Sequence, residues 1–315
     1  MKRATIPLTM FAILLYATGS HAQTASTTSR EIHFYSEGVL CYGKLFLPSG
    51  YSDNSKVAAV VLAPGTQQTS VSTEKYAVDL AAHGIVAMTF DYRGWGQSGG
   101  YLYFGEPVRW DDRLRFSQST TVMKIRRKRV EPALQAIDIR NAITFLQGEA
   151  GVDRTRIGLW GTDLSGGNAL VVAGSDARVK AVVAQVPVLG VRDTARHAFA
   201  PSAEQRASMV ALARDGSAPT NSQEALKRNA EESKLAMTEF HPFWYLEQIA
   251  TSTAVRLVVA EKDADTSIAA NANAAVKLLQ GTSDVVQIPR ASHVFDAQAT
   301  DAAVRAATEW FVQRL

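Results

Sequence analysis

The stretch RIGLWGTDLSGGNALVVAG, residues 156–174, decides the fold. Its first half is an apolar run ending in glycine, the composition of a strand buried on both faces. Its second half carries a helical apolar pattern after Gly166 and Gly167, and only a few residues around Asp163 separate the two. A strand that enters a helix through so tight a turn raises one side chain above the sheet edge, in a strained backbone where residues two places to either side must be small. If Asp163 is the raised residue, Gly161 and Ser165 fill those small positions. The competing register raises Ser165; it puts Asp163 where a small residue is needed and lengthens the turn by two residues. A plainer role for Asp163 is to cap the following helix, and the helix field there would also keep its carboxylate ionised.

Working outward, EIHFYSEGVLCYGKLFLP (31–48) alternates apolar and polar residues around Glu37-Gly38 and predicts an opening hairpin. The run VAAVVLAPG (57–65), a helical stretch from Glu74 to His83 closed by Gly84, and the run IVAMTFDYRG (85–94) predict two parallel strands and their crossover helix. The alternation continues with a helix from Pro132 to Gln147, the strand at 156–161, a helix from Gly166, and strands VKAVVAQVP (179–187) and VRLVVAEKD (255–263). A helix from Ala269 to Leu279, the short strand VVQIP (285–289) and a helix from Asp301 to Leu315 close the chain. The pattern is that of an α/β protein with a mostly parallel, doubly wound sheet covered on both faces. Residues from about 188 to 250 interrupt it with helical periodicity and the aromatic cluster Phe240 to Tyr245, and are expected to form a helical cap. Tyr101 to Ser119 is irregular, polar and aromatic, and is expected to help wall a pocket.

The first residues place Lys2 and Arg3 before an apolar stretch from about Ile6 to Tyr16, with small residues at Ser20 and Ala22. This is the pattern of a secretory signal peptide cleaved after Ala22, too short and too interrupted for a membrane span, and it predicts a periplasmic or secreted protein whose domain runs from 23 to 315. Composition is of globular type, 46% hydrophobic and 20% charged. The net charge of +3, part of which leaves with the leader, gives nucleic acid little support as a partner. The locally basic run Met123 to Arg129 reads as a solvated helix start. Cys41 has no partner for an internal disulfide and, within an alternating strand, reads as a small core residue.

His293, placed after a short strand and before the last helix, is the candidate base. His33, His83, His197 and His241 do not follow a sheet strand in this way. Asp263, at the end of its strand, is the candidate acid to orient the imidazole, with Asp265 in reserve. The chain order is then raised residue, acid, base. Backbone amides that could hold developing negative charge belong to Leu164 and to Thr66 or Gln67, and Gly65 leaves the backbone room to approach a ligand. Tyr103, Trp244 and Tyr245 are candidates to line the pocket or donate a proton. No spacing suggests a metal site, no phosphate loop is present, no cofactor is expected, and the partner is a small-molecule substrate. Oligomeric state is left open.

The segments EKYAVDLAAHGIVAMTFDYRGWGQSGG, ALQAIDIRNAITFL and DRTRIGLWGTDLSGGNAL resemble the α/β-hydrolase superfamily, particularly its dienelactone-hydrolase-like and Xaa-Pro-peptidase-like branch. The resemblance implies the α/β-hydrolase fold, but that branch usually carries serine or cysteine where this chain has Asp163. An aspartate there resembles haloalkane dehalogenases, fluoroacetate dehalogenases and epoxide hydrolases, which implies an Asp163–His293–Asp263 triad working through an alkyl-enzyme ester on a halogenated or epoxide substrate. Leu164 departs from the tryptophan usual in haloalkane dehalogenases, and Pro64-Gly65-Thr66-Gln67 departs from the His-Gly-x-Pro of epoxide hydrolases. Two alternatives stand beside this: an esterase-like or lactonase-like hydrolase using Ser165, or Asp163 as a base, and a non-catalytic binding protein that has lost its nucleophile.

Overall fold

The computed structural model describes residues 27–104, 123–190, 202–214 and 221–315. The expected leader and most of the expected pocket wall at 101–119 lie outside them. β1 (Thr28–Ser36) and β2 (Val39–Leu47) form the antiparallel hairpin about Glu37 and Gly38, and β3 (Val57–Ala63), α1 (Glu74–Ala82) and β4 (Val86–Phe90) follow. β5 (Tyr101–Phe104) and β6 (Met123–Arg126) pair outside the main sheet. Then come α2 (Pro132–Gly148), β7 (Val152–Thr162), α3 (Leu164–Ser175) and β8 (Val179–Gln185). α4 (Ala203–Arg214), α5 (Ser222–Thr238) and a 3₁₀ segment (Pro242–Gln248) intervene before β9 (Ala254–Ala260), α6 (Thr266–Val276), β10 (Ser283–Ile288) and α7 (Ala297–Arg314).

The eight-stranded sheet has the order β1-β2-β4-β3-β7-β8-β9-β10. From β4 to β10 every neighbour pair is parallel, and β2 joins β4 antiparallel. Parallel neighbours need crossovers, so helices cover both faces and the central strands are apolar throughout; every residue of β3 from Ala58 to Ala63 is buried. Trp160, Tyr92, Phe90, Leu62 and Phe311 are among the large side chains that fill the core. All parallel strands present their carboxyl ends at one edge, where the loops after β3, β4, β7, β9 and β10 gather.

Local chemistry moved some boundaries. α3 begins at Leu164, before the expected Gly166, because the chain turns into the helix at Asp163 itself. α6 and α7 also begin earlier than their apolar periodicity suggests: Asp265 accepts a hydrogen bond from the Ser267 amide and Asp296 from the Ala299 amide, and each cap starts its helix. The regular part of β7 is the expected strand, but pairing with β3 shifts register between Val57 and Ala59, so residues 153–156 of β7 have no partner on β3.

The basic run contradicts its expected form. Met123–Arg126 is strand β6, not a helix start; Lys124, Arg127 and Lys128 are exposed as expected, but Arg126 is buried against Glu232 of α5. Arg129 also reaches Glu232, Asn229 donates to the Arg127 carbonyl, and the Val130 amide donates to Ser233. The segment after β4 is thus tied to α5, which belongs to the segment after β8. Cys41 is fully buried, its thiol pushed up to about 12 chiefly by burial, which makes it an inert core residue.

The loop after β4 is held by carboxylates. Asp91 accepts from the Ser70 and Gln97 amides, and a Cβ at Gly96 would lie 1.9 Å from its Oδ2, so only glycine fits there. Arg93 donates through Nε and Nη2 to Asp138 Oδ1 at 2.9 and 2.7 Å, with Asp138 fully buried on α2. Asp138→Ala strands a buried guanidinium, so unfolding in denaturant should show a loss of about 3–5 kcal/mol with an unchanged slope. A loss under about 1 kcal/mol would mean that solvent reaches Arg93.

Candidate active site

Asp163 occupies the turn between β7 and α3 with φ 55° and ψ −125°, a backbone conformation that costs free energy for any residue with a side chain and that clusters at functional sites. The turn is held by its own amide, which donates to the Gln185 carbonyl, and by its carbonyl, which accepts from Gly166 and Val188. A Cβ on residue 161 would lie 2.1 Å from the Ser165 carbonyl oxygen, so the small residue two places before Asp163 is a steric necessity. The side chain does not cap α3. Instead Oδ2 accepts a hydrogen bond of 3.1 Å from the Thr66 amide, on the loop after β3.

Ser165 lies in the first turn of α3 with 1% exposure. Its hydroxyl donates to the Pro64 carbonyl at 2.5 Å and sits 2.8 Å from the Tyr92 hydroxyl. Both partners are buried protein groups, so this oxygen is turned into the core. The register with Asp163 raised is the one the chain adopts.

The loop after β10 brings His293 to Asp163: Nε2 stands 3.9 Å from Oδ1. On its other side Nδ1 donates to Asp263 Oδ2 at 2.9 Å, with the Asp263 side chain only 4% exposed against 38% for the imidazole. Asp265 does not compete, since its carboxylate caps α6 and its amide donates to Asp263 Oδ1. The Nδ1 bond places the ring proton toward Asp263 and leaves Nε2 as the basic nitrogen facing Asp163. Three residues spread over 130 positions of sequence are therefore gathered at the carboxyl edge of the sheet, Asp263 hydrogen-bonded to His293 and His293 facing Asp163.

The flanking residues divide. Gly65 is buried, with Gln68 and Thr162 so close that a Cβ would stand 3.1 and 3.2 Å from them, while Gln67 is exposed with φ 61°. Thr66, not Gln67, supplies the amide on the carboxylate. Leu164 opens α3, where first-turn amides have no intrahelical acceptor, and its side chain is buried with Val130 and Phe240. Tyr103 lies on β5 opposite Lys124, and its side chain is outside the described residues, as is all of His197.

Tyr245 is not beside Asp163. Its backbone packs on Gly174 in the last turn of α3, about 16 Å along the helix from the turn at 1.5 Å per residue. It lines a separate cavity with Glu131, Asn168, Val171 and Phe240. Trp244 is drawn the same way, its ring stacked on His241 at 4.2 Å. The reason is anchoring: Phe243 and Leu246 of the same 3₁₀ segment are buried in the core, which lays the segment along α3 instead of over the carboxyl edge. His33 and His83 also stay away from the site, one edge-on to Tyr42 and the other bonded to the Asp79 carbonyl. Tyr92 is the contributor that the sequence pattern did not reveal, since nothing in DYRGWG shows that its hydroxyl meets Ser165.

No protein-family model matches the chain. Over 138 residues it is 36% identical to a thiohydrolase of Arthrinium phaeospermum, a segment that makes up 44% of this chain and 37% of that protein. The chain thus spans less than half the length of the curated relatives it matches. An α/β hydrolase of Penicillium sp. sh18 superposes with a TM-score of 0.66 at 18% identity, covering 91% of this chain and 98% of that one. A dienelactone hydrolase of Anabaena variabilis superposes at 0.57 and 19% identity, covering 92% and 99%. These likenesses, with the sheet order above, show that the chain has the α/β-hydrolase fold.

Proposed function

We propose that the protein is a hydrolase in which Asp163 is the nucleophile, His293 activates water and Asp263 orients the imidazole, acting through an alkyl-enzyme ester. The observation that carries this is the division of the two carboxylate oxygens. Oδ2 rests on the Thr66 amide and Oδ1 faces His293 across 3.9 Å, too long for a direct hydrogen bond. An imidazole that activates a nucleophilic hydroxyl takes the proton from it directly, within hydrogen-bond reach in the working complex. One that activates water has to stand off from the carboxylate, as His293 does.

Oδ1 attacks a saturated carbon, a C–O bond forms, and the leaving group departs with the bonding pair. Water then adds to Cγ as Nε2 of His293 takes its proton, and the negative charge gathers on Oδ2 beside the Thr66 amide. Collapse expels the alkoxide oxygen that was Oδ1, which takes the proton back from His293, and the second water proton leaves to solvent as the carboxylate is regenerated with one oxygen from water. Departure of a halide needs no proton donor, whereas opening an epoxide does, and Tyr245 lies along the far flank of α3. Tyr245 is therefore not that donor, and the substrate carbon proposed is a halogenated or an epoxide carbon.

A single turnover in heavy-oxygen water with enzyme in excess tests the mechanism. The label should enter the peptide containing Asp163 and be absent from the alcohol, because the product oxygen comes from the carboxylate. A second reading draws on the named thiohydrolase: Asp163 and His293 together activating water on an acyl group. It would place the label in the product acid with none in the protein.

A further inference from the structure

We infer that Ser165 and Tyr92 are positioning residues that clamp the loop after β3 onto the start of α3 and so aim the Thr66 amide at Oδ2 of Asp163. The inference rests on the reading of Asp163 as the nucleophile and extends it to residues outside the triad.

The Thr66 amide is useful only if it stays where charge develops, and its own loop gives it little rigidity: Thr66 is half-buried and Gln67 beyond it is exposed at positive φ. The support comes from two residues earlier. The Pro64 carbonyl accepts the Ser165 hydroxyl at 2.5 Å, and that hydroxyl stands 2.8 Å from the Tyr92 oxygen. Since the serine proton is given to Pro64, the phenol is the donor to Ser165. Burial pushes the Tyr92 phenol up from its ordinary value, so it remains a protonated donor across the working range. Both side chains are at most 2% exposed, which shields these bonds from bulk solvent. The chain Tyr92 to Ser165 to Pro64 therefore joins three loop-bearing elements, after β4, at α3 and after β3, around the point that fixes Thr66. It also explains why Ser165 carries a hydroxyl at a position where the turn asks only for a small side chain.

The decisive comparison is Ser165→Ala and Tyr92→Phe in the full chain, with two readouts. Amide exchange at Thr66 should accelerate on the order of tenfold in Ser165→Ala and less in Tyr92→Phe. With a panel of haloalkanes and epoxides, alkylation of Asp163 should change within about twofold. Hydrolysis of the resulting ester should slow about 10- to 100-fold in Ser165→Ala, because that half-reaction alone builds charge on Oδ2. Unchanged Thr66 exchange in Ser165→Ala, or equal slowing of both half-reactions, overturns the clamp. If no panel member alkylates Asp163 while Thr66 exchange responds as stated, the clamp stands and the nucleophile assignment falls. Tyr92→Phe removes one oxygen only, which keeps the exchange readout available if Ser165→Ala fails to fold.

Discussion

In His293→Gln, substrate carbon should remain attached to Asp163. The first half-reaction needs the carboxylate alone, while the second needs a base on the water that attacks Cγ, and a carboxamide cannot take that proton. Positioned general bases contribute about 10²- to 10⁴-fold. Ester hydrolysis should therefore slow by roughly 10³-fold, enough for the adduct to accumulate in a mixed panel of haloalkanes, epoxides and activated esters. Intact mass and peptide mapping would then show the adduct on the peptide containing Asp163, and its mass would name the substrate class. An adduct on Ser165 instead would make the buried serine the nucleophile, against its hydrogen bonds to Pro64 and Tyr92.

Asp163→Asn should abolish turnover, by on the order of 10⁴-fold or more, and leave no adduct with any panel member. The carboxamide is close in shape, and asparagine tolerates positive φ, so thermal unfolding should change little. That combination separates lost chemistry from lost structure. Turnover within about tenfold of the parent would remove Asp163 from the nucleophile's role and favour a site in which His293 activates water by itself.

Much of the site was legible in the chain because it depends on local constraints. The small-x-Asp-x-small pattern at 161–165 predicts the raised side chain, and the 2.1 Å approach of the Ser165 carbonyl to residue 161 shows why the pattern is needed. His293 and Asp263 could be picked out because each follows a recognisable strand end, and parallel strands bring such ends to one edge. The choice of Asp263 over Asp265 was not legible. Both carboxylates lie in the loop after the same strand, and only a helix start at Thr266 commits Asp265 to capping.

The sequence by itself determined the order of the main-sheet strands and their crossover helices and the apolar strands of a sheet covered on both faces, and it narrowed the raised residue to Asp163 or Ser165. These follow from periodicity and from backbone sterics, which act over a few neighbouring residues. The tertiary structure decided which oxygen of Asp163 meets Thr66, that Ser165 is spent on Pro64 and Tyr92, that the basic run at Met123–Arg126 is a strand against α5, and that Tyr245 lies along the far flank of α3. Each of these depends on contacts between segments far apart in the chain, where the acceptor, the opposing charge or the packing surface belongs to another element, and no local pattern encodes that partner.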